Sequence, residues 1–235
     1  PRLATSDSPF SALTALDEDT GVRAVVLTGD GSTCSAGADR GWMQRMAQAS
    51  HAQNRDDSLQ LARLMRTLNY LSKPTLARVN GSAYGGGVGL VACCDLAIGV
   101  EGAKFSLSEV KLGLVPAVIS PYVVAAIGGR QARRLFTGGE VVDATEALAM
   151  GLLHTVVPAH ELDQAVDRAL HFWGKGGPLA QREAKQLALR TAGMTREASE
   201  RQDAENAELI ARLRVSPEGQ AGMAAFMAKQ PAPWV

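Results

Sequence analysis

Apolar positions along the chain follow two rhythms. Residues 22–28 form a short, β-branched apolar run closed by the turn Gly29-Asp30-Gly31, which predicts a buried strand. Residues 75–79, 95–100 and 105–107 read as further strands. Between them the period lengthens. Leu59, Leu61, Leu64, Met65 and Leu68 recur at close to helical spacing over residues 56–71, and Ser72-Lys73-Pro74 stops that helix. Residues 86–94 predict a short apolar helix. Residues 39–53 predict a mobile helical or loop segment, with Trp42, Met43 and Met46 as its apolar contacts. Strands alternating with helices predict an α/β layer fold with an open sheet. After Pro121 the pattern is helical, over residues 121–127, 131–137, 143–150, 161–173, 179–192 and 195–213. So long a tail predicts a helical C-terminal subdomain or an oligomer interface. No internal repeat or low-complexity segment interrupts the pattern.

Composition narrows the function classes. The chain has 235 residues, is 46% hydrophobic and carries no formal net charge. That is enough for one large domain or a domain with a small helical tail. The balanced charge argues against nucleic acid or an anionic membrane surface as partner. The local cluster Arg130, Arg133, Arg134 reads as a solvated helix face. The three cysteines, Cys34, Cys93 and Cys94, form neither a disulfide framework nor a CxxC pair, and the four histidines lie far from them in sequence. A zinc site is not expected, and a reducing, cytoplasmic setting is. No apolar run reaches membrane-spanning length, and no signal peptide is read at the start, which opens on Pro1.

The candidate chemistry sits at two strand-to-helix junctions. Ala83-Tyr84-Gly85-Gly86-Gly87 joins the 75–79 strand to the short apolar helix. Its glycines strip side chains from the helix start, so bare N–H groups are free to point at a ligand oxygen. Ser35-Ala36-Gly37-Ala38-Asp39 forms a second small-residue turn after the 22–28 strand. Two such turns are able to supply two amide donors to one developing oxyanion. Tight helix–strand packing is the competing reading of the glycine run taken alone.

In order and spacing these segments resemble the crotonase (enoyl-CoA hydratase/isomerase) superfamily. The resemblance runs over residues 22–39, 73–116 and 133–158, the last including Leu135-Phe136-Thr137-Gly138, and over Gly222-Met223-Ala224-Ala225-Phe226. The likeness is closest to bacterial methylglutaconyl-CoA and isohexenylglutaconyl-CoA hydratases, which act in leucine and acyclic-terpene breakdown. It is carried by residues 85–95, Ser108-Glu109-Val110-Lys111-Leu112-Gly113 and Ile119-Ser120-Pro121. The resemblance implies a spiral of ββα repeats over residues 1–130, holding the coenzyme A and oxyanion site. It also implies a helical region over residues 131–235 for trimerisation, often into paired trimers, and for coenzyme A contact. It implies an acyl-CoA substrate, with coenzyme A as part of that substrate and no separate cofactor or metal.

By the same resemblance the oxyanion donors are the amides of Ala38 and Gly86, each worth about 3 kcal/mol in such holes, with the helix dipole adding at Gly86. Glu109 falls on the family's acid/base position. Walled by Leu107, Val110 and Leu112, its carboxyl is expected to titrate high. Backbone around Ala36, Gly37 and Asp39, with Gly85, is implied to meet the substrate. Asp39 alternatively orients its own turn. Trp42, Met43 and Met46 either line an acyl pocket or belong to the core. Phe226 and Lys229 approach the nucleotide, with a solvated tail lysine as the other reading. Cys93 and Cys94 are expected to pack, Asp95 to cap or anchor the strand that follows it, and His154 to be structural.

Three departures from the family pattern matter. Many hydratases carry a second glutamate two residues after the glycine run, where this chain has Gly89. A single carboxylate suffices for a double-bond isomerase, and a non-catalytic acyl-CoA binder is a further alternative. The family's CoA hydrolases keep a carboxylate just after the proline that follows the glutamate turn. Here Pro116 precedes Ala117, against hydrolysis. The family also opens with a strand pair and an Arg-Pro turn, of which residues 1–10 are a poorly matched remnant. The sheet edge and part of the coenzyme A site are thus left missing, altered or disordered.

Overall fold

The computed structural model describes residues 9–235. Readings that fall on residues 1–8, including most of the poorly matched front, lie outside the described residues. Four strands, β1 (Val25–Thr28), β2 (Thr75–Val79), β4 (Leu96–Val100) and β7 (Thr155–Val157), form one parallel sheet in the order β1-β2-β4-β7. Val25 pairs with Thr75, Leu76 with Leu96, and Ile98 with Thr155. β2 is interior, and its apolar residues Leu76, Ala77 and Val79 are all buried, as a strand covered on both faces requires. β1 lies at the end of the order and alternates, Val25 buried and Val26 exposed. A second sheet joins β3 (Ala83–Tyr84) parallel to β5 (Lys104–Ser106), and β5 antiparallel to β6 (Val141–Asp143).

The helices explain how the first sheet is crossed. α1 (Pro9–Glu18) precedes β1. The β1–β2 connection carries α2 (Arg40–Gln48) and α3 (His51–Asn69), so the segment expected as mobile helix or loop is a capped helix and a corner. Asp39 caps α2 through a 2.7 Å bond from the Trp42 N–H, and Ser50 with Gln53 closes a capping box on α3. These caps start α3 earlier than its apolar rhythm does. α4 (Gly86–Ala92) lies between β3 and β4. The two helices expected over residues 121–127 and 131–137 are halves of α5 (Ser120–Gly138), which breaks at Gly128, φ 76°. The division expected after residue 130 falls within α5. α6 (Ala144–Ala149) is capped by Asp143 and leads to β7.

The C-terminal helices are α7 (Leu162–Gly174), α8 (Pro178–Thr191), α9 (Arg196–Arg214) and α10 (Pro217–Met227). α9 runs antiparallel along α3. Tyr70 Oη meets Ser199 Oγ at 2.9 Å, Arg66 pairs with Asp203, and Arg214 reaches Asn54. Asp95 takes its expected role. Its Oδ2 accepts from Thr75 N at 2.7 Å, Thr75 Oγ1 at 3.0 Å and Lys185 Nζ at 2.8 Å. Its N–H donates to Thr75 Oγ1 at 3.0 Å, so Asp95 anchors the start of the following β4 to the start of β2 and ties both to α8. His154 is structural, its Nδ1 accepting from Ala97 N at 3.0 Å. Cys93 and Cys94 pack as expected, and burial pushes the Cys94 thiol up to about 12. Arg134 pairs at the surface with Glu140 and Glu146. No helix of the described residues is long and apolar enough to cross a membrane.

Candidate active site

Two loops are laced together beyond the ends of β1 and β2. Ser35 bridges to Ala83: Ser35 N donates to Ser82 O and Tyr84 N to Ser35 O, both at 3.1 Å. This aligns the small-residue turn with the glycine run, residue beside residue. The approach is so close that a methyl group on Gly87 would sit 2.5 Å from Ser35 Oγ. Gly37 turns the first loop with φ 90° and lies over Tyr84. Gly85 turns the second with φ 52°, held by its N–H to Ser106 O at 2.9 Å. Both values belong to the left-handed region that glycine enters without steric penalty.

α4 begins at Gly86 with open space where a side chain would stand. Among the described residues, neither Gly86 N–H nor Ala38 N–H donates to a protein acceptor. Glu109 opens the 3₁₀ turn Glu109–Leu112 that follows β5. Its Oε1 lies 3.2 Å from the point a Cβ on Gly85 would occupy. Its Oε2 is buried without a hydrogen-bond partner. Burial raises its pKa, outweighing the bond from its own backbone N–H. A desolvated carboxyl beside the open start of α4 is suited to moving a proton.

Glu109, Gly85, Gly86 and the 35–38 turn are thus brought together. Other expected residues take different places. Ala36 is exposed on the turn. Asp39 spends its carboxylate on the α2 cap. Trp42 points its indole N–H at Asp57 Oδ1, 2.8 Å away, and stacks under Arg214. Met43 beside it is buried. Phe226 is 46% exposed near the end of α10, and Lys229, φ 56°, is exposed just beyond it. α10 itself packs on the Glu109 turn, where a methyl group on Gly222 would come 2.5 Å from the Leu112 carbonyl carbon.

Position 89 lies one helical turn beyond Gly85, to whose carbonyl its N–H donates at 3.4 Å. A Cβ there would stand 2.7 Å from Ile119 Cβ, closer still to its Cγ2, and 3.4 Å from Met65 Cε. The place of a second carboxylate is filled by Ile119. Arg214, Asp57 and Gln220, which hold α2 in position, were missed from sequence. No motif marks an arginine at the end of an amphipathic helix as an internal contact.

The fold is that of an α/β enzyme, with one shielded carboxyl, Glu109, beside the glycine turn that opens α4. The chain belongs to the enoyl-CoA hydratase/isomerase family, whose model matches residues 3–235. It is similar to a putative enoyl-CoA hydratase of Thermus thermophilus, 39% identical over 80% of this chain and 74% of the relative. A crotonyl-CoA hydratase of Syntrophomonas wolfei is 31% identical over 95% of this chain and 85% of the relative. A crystal structure of a putative enoyl-CoA hydratase/isomerase from Legionella pneumophila superimposes with TM-score 0.76 at 44% identity, covering 97% of this chain and 87% of the other. The family's hydratases are hydro-lyases acting on acyl-CoA thioesters.

Proposed function

We propose that this chain adds water across a 2,3-enoyl-CoA thioester. In this reading the N–H groups of Ala38 and Gly86 hold the thioester oxygen. Glu109 takes a proton from water as the water oxygen bonds to Cβ, and the alkene electron pair shifts through Cα onto the thioester oxygen. The enolate then collapses and takes the Glu109 proton at Cα, which restores the carboxylate. One carboxyl handling both events delivers oxygen and hydrogen to the same face, a syn addition. Two amide donors contribute about 3 kcal/mol each to the enolate-like transition state. The observation that carries the reading is the buried, partnerless Glu109 oxygen beside the open start of α4.

The isomerase reading draws support from Ile119, which fills the space beside Gly89 and leaves Glu109 as the single carboxyl there. In that chemistry Glu109 lifts a proton from Cα of a 3-enoyl-CoA and returns it at Cγ. For the substrate we propose a branched glutaconyl-CoA. Residues 118–120 and 40–55 would shape its pocket, and the backbone of Ala36, Gly37 and Asp39 with Phe226 and Lys229 would meet the coenzyme A moiety. The exposed apolar side chains Phe172, Leu179 and Leu187 on α7 and α8 support self-association, proposed as a trimer or paired trimers. The free thiols support a reducing, cytoplasmic setting.

The test is a panel of enoyl-CoA esters, with and without a carboxyl-bearing branch, read by mass and absorbance. Hydration of a 2-enoyl-CoA adds the mass of water and removes the conjugated absorbance. Isomerisation of a 3-enoyl-CoA creates that absorbance at constant mass. Glu109→Gln should lower turnover by orders of magnitude while thioester binding persists. Binding without turnover of any ester would replace both readings with a non-catalytic acyl-CoA binder.

A further inference from the structure

The turn that carries Ala38 is held from the far end of the chain. Arg214, the last residue of α9, is 8% exposed. Its Nη1 donates to Asn54 Oδ1 and Asp57 Oδ2, both at 3.3 Å, and to Ser58 Oγ at 3.4 Å. Its guanidinium carbon lies 4.9 Å from the centre of the Trp42 ring. Asp57 uses its two oxygens for the two ends of this clamp, Oδ2 for Arg214 and Oδ1 for the Trp42 indole N–H. Trp42 sits in the first turn of α2, where its backbone N–H also donates to the Asp39 cap. At the other end of α2, Gln220 Nε2 of α10 donates both to Ala47 O at 3.0 Å and to Arg214 O at 2.7 Å.

We propose that Arg214 is a positioning residue that aims the Ala38 amide, acting through Trp42, Asp57 and the first turn of α2. The inference rests on the oxyanion role proposed above for Ala38. The argument is one of rigidity. Ala38 directly precedes the α2 cap, on an exposed loop whose own side chains are too small to hold it. A donor displaced by about 1 Å loses much of its effect on a developing charge. The clamp fixes the helix start in all directions: the indole N–H sets its depth, the stacked guanidinium its tilt, and Gln220 its far end. A planar guanidinium does this better than an ammonium, which cannot stack flat on the Trp42 ring while it donates to Asn54 and Asp57.

The test uses Glu109→Gln as background, so that a conjugated 2-enoyl-CoA binds without reacting. A thioester gripped by two amide donors is polarised, and its absorbance moves to longer wavelength on binding. The expected result is a clear red shift in E109Q, at most half that shift in E109Q/R214A and in E109Q/W42F, and an intermediate shift in E109Q/R214K. Dissociation constants for a saturated acyl-CoA should stay within about threefold in the Arg214 variants. In the parent background R214K and W42F should lower kcat more than they raise KM. W42F keeps an aromatic face for the guanidinium while losing the indole N–H with its five-membered ring, so it carries the test if R214A fails to fold. A full red shift in folded R214A or W42F, or a loss confined to protein yield, overturns the positioning role. No red shift in E109Q itself overturns the oxyanion reading beneath it.

Discussion

Gly89→Ala puts the single-carboxylate architecture to a quantitative test. The new Cβ would stand 2.7 Å from Ile119 Cβ and closer to Ile119 Cγ2, with Met65 Cε at 3.4 Å. Two effects oppose each other. Alanine in a helix interior is favoured over glycine by roughly 0.5–1 kcal/mol. Against this, overpacking a filled core costs about 1–3 kcal/mol. Ile119 is β-branched and stiff at χ1, so its Cγ2 cannot swing away cheaply, and the upper part of that range applies. The net expectation is a loss of about 1–2 kcal/mol, or a Tm lower by roughly 2–8 °C for a chain of this size. Thermal and urea denaturation read it. Ile119→Ala in the same molecule removes the Cγ2 overlap but leaves Cβ against Cβ, so rescue should be partial. Gly89→Glu should be worse than Gly89→Ala and should gain no second catalytic carboxyl. A Gly89→Ala protein as stable as its parent, or more so, would show that helix propensity wins and that the α4–α5 contact is not tight.

Glu109→Gln should change the pH dependence of stability. The folded carboxyl titrates above its usual 4.5 because it is buried, so between that pH and its folded value the native state holds more protons than the unfolded chain. Its contribution therefore falls as pH rises through that window, and the glutamine variant, lacking this decline, should be relatively more stable near neutrality in urea titrations at several pH values. Activity should run the opposite way, kcat/KM of the parent rising as Glu109 ionises, with that limb absent from the variant. Asp39→Ala removes the α2 cap and should destabilise by about 1 kcal/mol in denaturation assays, with kcat falling because the Ala38 turn loosens. Gly222→Ala would press Cβ against the Leu112 carbonyl. It should cost about 1–3 kcal/mol by overpacking and lower turnover by lifting α10 from the Glu109 turn.

The interior strands and the long amphipathic helices were legible in the sequence because burial imprints a period. β2 was read to its true ends, and both halves of α5 were seen, Gly128 marking the break. The glycine run and the small-residue turn stood out because special backbone conformations leave residue-type signatures, whereas Glu109 was singled out by the family resemblance alone. What escaped was set by side chains reaching across the fold. α2 is short and buries only Met43, yet it is fixed by Asp39 at its cap and by Asp57 and Arg214 across helices. α10 announced itself only through Ser216 and Pro217, a cap and first-turn pair that was not read. β6 and β3 are too short to carry a period at all. Asp95 does anchor β4 as expected, but its partners, Thr75 on β2 and Lys185 on α8, lie across the fold and left no sign beside it in sequence.

The Arg214 network is also a poor candidate for a stability device. Burial lowers the Arg214 pKa despite Asp57 beside it, which marks a guanidinium whose lost hydration is not fully offset by its partners. A buried pair of this kind is often replaceable by apolar side chains with little loss of stability, while removing one partner alone is costly. What apolar packing does not reproduce is orientation. A Leu or Met against Trp42 would exclude water equally well but would leave Asn54 Oδ1 without its donor and Asp57 free to turn away from the indole N–H. The same helices hold the other side of the site, since α10 backs the Glu109 turn through Gly222. One C-terminal pair of helices thus contacts both α2, which follows Ala38, and the turn that carries Glu109.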